Sequence, residues 1–234
     1  YNLDPLYFHL NLVFEFLKLE YYNHYKVYRQ AEKYFEEVND AIANLLVNYP
    51  HYTFSAQVLI SKMERSLRLG IEKELYEENE SLFIDLEPDP LDVPRHTVYV
   101  MYRALSSYYV GKYDEAAKII NGLLNEVSLK KYPFAQMEVK TILALQYCML
   151  NDFELFNQLA NSIQRQIRLF GKHSCENILL FIKILKIAVS ESKKDKQKKI
   201  ASLIPKLQTT KVPYYAPTMM IRMDEKFIEN LVSL

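Results

Sequence analysis

Residues 104–124 read ALSSYYVGKYDEAAKIINGLL and contain the clearest structural pattern in the chain. Beyond Gly111, apolar residues recur at intervals of three and four, as on one stripe of an amphipathic helix. They are Ala116, Ile119, Ile120, Leu123, Leu124 and Val127. Before Gly111 a first helix repeats that spacing at Val98, Tyr102, Leu105 and Tyr109. Glycine adopts positive φ at little steric cost, so the stretch predicts a helical hairpin that turns at Gly111.

The same residues resemble the tetratricopeptide repeat, in which a small residue and an aromatic precede a Gly-x-Tyr turn and a small residue follows it. Those places are occupied by Ala104, Tyr108, Gly111, Tyr113 and Ala116. The chain departs from the family pattern in having no Trp and in placing Ile120 where an aromatic is preferred. The resemblance implies an all-α fold, a right-handed superhelix of about five helix pairs followed by a C-terminal capping helix.

Turns recur along the chain at a nearly constant interval. We expect them at Asn23/His24, Gly70, Gly111, Asn151 and about Ser192, with gaps of 46, 41, 40 and 41 residues counted from His24. The helices around them are expected over 5–22, 27–47, 53–69, 71–86, 134–150, 153–170, 174–189 and 194–204, with a last short helix over 224–232. Such an interval indicates stacked helix pairs. Proline disfavours helix in the residue before it, so the tenth helix should end before Pro205.

A single domain is expected, with a sub-domain boundary at 87–94 as the alternative and an extended tail over 209–223. Residues 1–94 hold 8 Lys and Arg against 17 Asp and Glu, whereas residues 95–234 hold 21 against 12. This division would steer a charged partner or favour head-to-tail self-association at low salt. Drift in surface composition explains it equally well.

Composition excludes several classes of protein. Half of the residues are hydrophobic, which argues against global disorder. The apolar run 178–189 is shorter than the ~20 residues of a membrane span, so we expect no membrane insertion. Cys148 and Cys175 do not form a disulfide framework, and two reduced thiols indicate a cytoplasmic protein.

No catalytic, cofactor or metal motif is recognisable. The five histidines have no zinc-ligand spacing, and four scattered glycines do not form a phosphate loop. We therefore expect no enzyme, no cofactor and no bound metal. Because the first helix of each pair lines the groove of tetratricopeptide-like stacks, the resemblance implies a binding surface on off-core residues of helices three, five, seven and nine. The candidates are Tyr99, Arg103, Ser106, Gln136, Lys140 and Lys183.

A basic run is the one feature typical of nucleic-acid binding. It consists of Lys193, Lys194, Lys196, Lys198 and Lys199. Asp195 interrupts it and no aromatic residue is interleaved, so a solvated helix start is favoured over phosphate contact.

The sequence thus predicts a non-catalytic scaffold that binds a protein or peptide partner. The alternative is a regulatory or sensor segment of a larger signalling or transcriptional protein that acts through self-association as a homo-oligomer. Nucleic-acid binding through residues 193–199 is a third and weaker hypothesis.

Overall fold

The computed structural model describes residues 5–48, 54–84, 86, 89–190 and 193–234, and over these residues the protein is all-helical, without a β-strand. The α-helices of that part are α1 (Pro5–His24), α2 (Tyr28–Asn48), α3 (Phe54–Leu69), α4 (Glu74–Phe83), α5 (Val93–Tyr109), α6 (Tyr113–Glu126), α7 (Pro133–Met149), α8 (Phe153–Phe170), α9 (Glu176–Ser190), α10 (Lys193–Thr209) and α11 (Glu225–Ser233). Short 3-10 helices lie at Leu129–Lys131, His173–Cys175 and Pro217–Met220. The predicted all-α fold class is confirmed at this level.

Most predicted helices differ from the observed ones only by a few residues at their ends. The predicted end of α10 is wrong, because the helix continues through Pro205 to Thr209. Burial of Leu203, Ile204 and Leu207 in this stretch offsets the backbone hydrogen bond that proline removes. The fourth helix is shorter than predicted, because Ile71 donates to the carbonyl of Ser66 in a turn instead. The predicted turn near Ser192 lies outside the described residues.

The same turn closes four alternate helices, α1, α3, α5 and α7. In each, a backbone N–H donates to the carbonyl five residues earlier: Val27 to Tyr22, Ile71 to Ser66, Lys112 to Ser107, and Asp152 to Tyr147. A residue with positive φ precedes each donor, namely Lys26, Gly70, Gly111 and Asn151. This is the Schellman ending of a helix. The positions predicted for the turns at Gly70, Gly111 and Asn151 are confirmed; a tetratricopeptide-like superhelix remains a prediction.

The chain divides into two compact units, unit 1 (Tyr1–Tyr102) and unit 2 (Arg103–Leu234), and the division falls within α5. In unit 1, α1 and α2 pack as a hairpin, α3 contacts both, and α4 contacts α2. The fully buried residues there include Leu19, Leu46, Leu59 and Leu75. The single domain and the boundary at 87–94 remain predictions.

Unit 2 is built around α7. This helix packs against α6, α8 and α9, while α11 covers α9 and α10. Its buried aliphatic and aromatic residues include Ile120, Leu145, Phe156, Phe181 and Leu231. Cys148 and Cys175 are both buried free thiols, as expected from the sequence.

Candidate functional site

Two of the candidate groove residues are core residues. Tyr99 is buried and its hydroxyl lies 3.0 Å from Ser55 Oγ. Ser106 is also buried. Both are withdrawn as surface candidates because they are buried; in the case of Tyr99, the covering contact comes from Ser55 of α3, 44 residues earlier. Arg103 on α5 and Lys183 on α9 are exposed.

Gln136 and Lys140 of α7 form hydrogen bonds with α8. Gln136 Oε1 accepts a hydrogen bond of 2.5 Å from Gln166 Nε2, and Lys140 Nζ donates to Ser162 Oγ at 3.4 Å. Gln166 and Ser162 both belong to α8. Partial burial lowers the pKa of Lys140. These two side chains therefore contribute to the α7–α8 contact rather than to the face of α7 that meets α9.

The basic run does not form one exposed patch. Lys196 is buried, whereas Lys198 and Lys199 are exposed. The side chains of Lys193 and Lys194 lie outside the described part of the structure. Lys196 is therefore withdrawn from the candidate patch, because a cation that binds phosphate must reach solvent.

The face of α7 and α9 carries a segment of the protein itself. Residues 210–224, the linking segment, join α10 to α11, and their 3-10 helix Pro217–Met220 packs on α7 and α9. Its buried residues are Ala216, Pro217, Thr218, Met220 and Ile221. At its start the Tyr214 ring lies 5.3 Å from that of Phe134, between ring centroids. The predicted extended tail is thus an irregular segment with one 3-10 turn that packs on α7 and α9.

A fully buried carboxylate on α7 binds the centre of the linking segment. Glu138 Oε2 accepts the backbone N–H of Thr218 at 3.0 Å, and Glu138 Oε1 accepts Asn177 Nδ2 of α9 at 2.5 Å. Asn177 Nδ2 also donates to Thr218 Oγ1 at 3.2 Å. Thr218 and Asn177 both donate to Glu138. The ionised carboxylate, which only accepts hydrogen bonds, therefore matches these two partners.

A second side chain binds the end of the linking segment. The Tyr109 hydroxyl, on the last residue of α5, donates to the carbonyl of Met220 and accepts the N–H of Arg222 at 3.0 Å. Together with Glu138 it therefore bonds three main-chain groups of the segment. Main-chain recognition of this kind depends on the backbone path of the bound segment rather than on its side chains.

Burial sets the protonation of this site. It raises the pKa of the Glu138 carboxyl from 4.5 to about 7, although the hydrogen bonds from Thr218 and Asn177 lower it. Burial and the nearby Glu138 charge also raise the pKa of the Cys175 thiol. A thiol that stays protonated is a poor nucleophile. Cys175 and Glu138 are therefore suited to binding rather than to thiolate chemistry.

Sequence reasoning missed Glu138, Asn177, Thr218 and Tyr109 as binding residues. A signal for Glu138 was present, because it lies four and seven residues before Ile142 and Leu145 on the apolar stripe of α7. A charged residue at a core position of a helix needs a buried polar partner. The identity of that partner was not readable, since Thr218 is 80 residues away.

Other kinds of site find no support within the described residues. No group of three or more His, Cys, Asp or Glu side chains is placed there to hold a metal ion. None of the helices that the structure describes has the length and apolarity of a membrane span. Comparisons with protein families, curated proteins and solved structures give no match.

Proposed function

We propose that the protein is a non-catalytic, tetratricopeptide-like scaffold that binds a short peptide segment of a partner protein on the face of α7 and α9. The linking segment occupies this face in the state described here and acts as an internal competitor. The observation that carries the proposal is the set of main-chain hydrogen bonds from Tyr109 and Glu138 to Met220, Arg222 and Thr218. A face that forms hydrogen bonds with the main chain of the linking segment can form the same bonds with a partner peptide that follows the same backbone path.

Two features of the fold support the repeat part of this proposal. The Schellman turns after α1, α3, α5 and α7 share one hydrogen-bond pattern. Within unit 2, α7 also packs on α9, which is contact between first helices of consecutive pairs. First helices that lie side by side form the binding surface in helical-repeat proteins.

Competition from the linking segment sets the affinity that a partner needs. The segment is tethered at both ends, by α10 and by α11, and a short tether holds its ligand at an effective concentration of about millimolar. A partner peptide at micromolar concentration therefore binds weakly to the wild-type chain. Weakening the segment without changing the face should uncover that binding.

The test uses a labelled peptide with the sequence of residues 210–224 and measures its binding by fluorescence anisotropy. Ile221→Asp places a charge at a buried position of the segment and leaves α7 and α9 unchanged. We expect this variant to bind the peptide at least about tenfold more tightly than the wild type, by removing competition. Lys211→Asp, at an exposed position of the same segment, is the matched control and should behave as the wild type.

Specificity is checked with a second substitution and a scrambled peptide. Adding Glu138→Ala to the Ile221→Asp variant should weaken binding by about 10-fold or more, because it removes the acceptor for the peptide N–H. A folded Ile221→Asp variant that binds the native and scrambled peptides equally, or binds neither, would rule out a peptide-binding face on α7 and α9.

A further inference from the structure

The outward side of α1 carries a row of large apolar side chains. Tyr7, Leu10, Phe14, Leu17 and Tyr21 are each 57–61% exposed. They follow one another at intervals of three, four, three and four residues, which places them on one line along the helix. We refer to these five residues as the α1 stripe.

The α1 stripe differs from an ordinary solvated helix face. The charged side chains of Glu15 and Lys18 are less exposed than the stripe, at 12% and 35%, and Lys18 Nζ lies 4.7 Å from the centroid of the Phe14 ring. The opposite side of the helix is already occupied, since Leu12, Phe16 and Leu19 are buried in unit 1. Surface helices normally present charged and polar residues on the side away from the core. A contiguous apolar surface of this kind marks an interaction site.

The order of residues in the α1 stripe identifies the partner. Read from either end it is Tyr, Leu, Phe, Leu, Tyr, with Phe14 at the centre. In a two-fold symmetric contact the same surface faces itself, so residues at equal distances from the axis meet each other. We propose that α1 pairs antiparallel with α1 of a second copy of this chain, with Phe14 near the two-fold axis. Leu10 then faces Leu17 of the second copy, and Tyr7 faces its Tyr21.

The exposed area is sufficient for such a dimer. Side chains of this size that are six-tenths exposed offer roughly 600 Å² per stripe, taking about 200 Å² for a full side chain. Two copies then bury roughly 1,200 Å² in total, the lower end of the range for specific interfaces. The charges beside the stripe are balanced, because Lys18 Nζ lies 2.8 Å from Glu15 Oε1.

Charge favours a second copy over a lipid surface. Residues 1–94 have an excess of acidic residues, 17 against 8 basic ones, and would be repelled by anionic lipid headgroups. The same excess makes two copies of unit 1 repel each other weakly. Salt screens this repulsion and leaves apolar burial intact, so the dimer should tighten as ionic strength rises. Head-to-tail association driven by opposite charges would instead weaken.

The first experiment measures the monomer–dimer constant of the full chain by sedimentation velocity at low and high salt. We expect a dimer that Phe14→Glu weakens by about 30-fold or more, as for a central apolar interface residue. Leu169→Glu is the matched control, because Leu169 lies outside the stripe, on α8, and is 81% exposed. A wild-type chain that stays monomeric at every concentration, or a dimer that weakens with salt, overturns the proposal.

The second experiment tests the antiparallel arrangement by cysteine cross-linking under mild oxidation. Phe14→Cys should form a disulfide with itself, because a residue near the two-fold axis meets its own copy. Tyr7→Cys should not cross-link alone, but should do so when mixed with Tyr21→Cys. The wild-type chain gives the background, since Cys148 and Cys175 are buried. Self-cross-linking of Tyr7→Cys would indicate parallel helices and refute this arrangement.

Discussion

Replacing Tyr109 by Phe tests whether side-chain hydrogen bonds hold the linking segment on unit 2. The change removes one hydroxyl and leaves the ring, so packing is almost unaffected. It deletes two hydrogen bonds, to the Met220 carbonyl and from the Arg222 N–H. At about 0.5–1.5 kcal/mol each, their loss lowers the free energy of opening the segment by about 1–3 kcal/mol.

Amide hydrogen exchange measures this opening directly. The most informative amide is that of Thr218, whose acceptor is Glu138 and not the substituted residue. Its faster exchange therefore reports release of the whole segment rather than loss of its own hydrogen bond. An opening free energy lowered by 1–3 kcal/mol speeds exchange by about 5- to 150-fold. Amides in the centre of α7 should be unaffected.

Tyr132→Phe is the matched control, since it makes the same chemical change on an exposed ring of unit 2. If Thr218 exchanges at the wild-type rate in Tyr109→Phe, the hydroxyl contributes nothing to seating the segment. An equal acceleration in both variants would also refute the reasoning, because it would show a general loss of stability.

Two further predictions concern stability and are checked by urea unfolding. Because the pKa of Glu138 is raised from 4.5 to about 7, the folded chain keeps a proton between these pH values that the unfolded chain releases. The contribution of Glu138 to the free energy of unfolding therefore falls by about 3 kcal/mol as the pH rises from 4.5 to 7. Glu138→Gln lacks this titration, and a wild-type-like pH dependence in that variant would contradict the assignment. Gly111→Ala should destabilise by about 1–2 kcal/mol because φ is +80° there. Gly122 lies on α6 with open space where a Cβ would be added, so Gly122→Ala should stabilise the fold by up to about 1 kcal/mol. A stabilising Gly111→Ala or a destabilising Gly122→Ala would contradict these expectations.

The features that the sequence revealed correctly are local ones. The turns at Gly111 and Asn151 depend on residues within one helical turn, so their positive φ could be predicted from residue type. Periodicity likewise located the buried side of α6, where Ala116, Ile120 and Leu123 are buried. These signals require no knowledge of which helices become neighbours.

The errors at the candidate binding surface concern contacts between residues far apart in sequence. Tyr99 lies off the main apolar stripe of α5, yet it is buried and paired with Ser55, 44 residues earlier. The periodicity of apolar residues indicates one buried side of a helix. Packing against several neighbouring helices can bury a second side that periodicity does not indicate. The partners of Tyr109 are more than a hundred residues away and were therefore not readable from spacing.

The linking segment is synthesised after α7 and α9, the helices on which it packs. Helices α7 and α9 are complete at Ser190, whereas Arg222, the last residue bonded by Tyr109, follows 32 residues later. At about 5–20 residues per second, the ribosome needs roughly 2–6 s to add that stretch. During that interval the nascent chain presents the face of α7 and α9 without its internal occupant. A partner peptide present at the ribosome would then meet its site before the competitor exists.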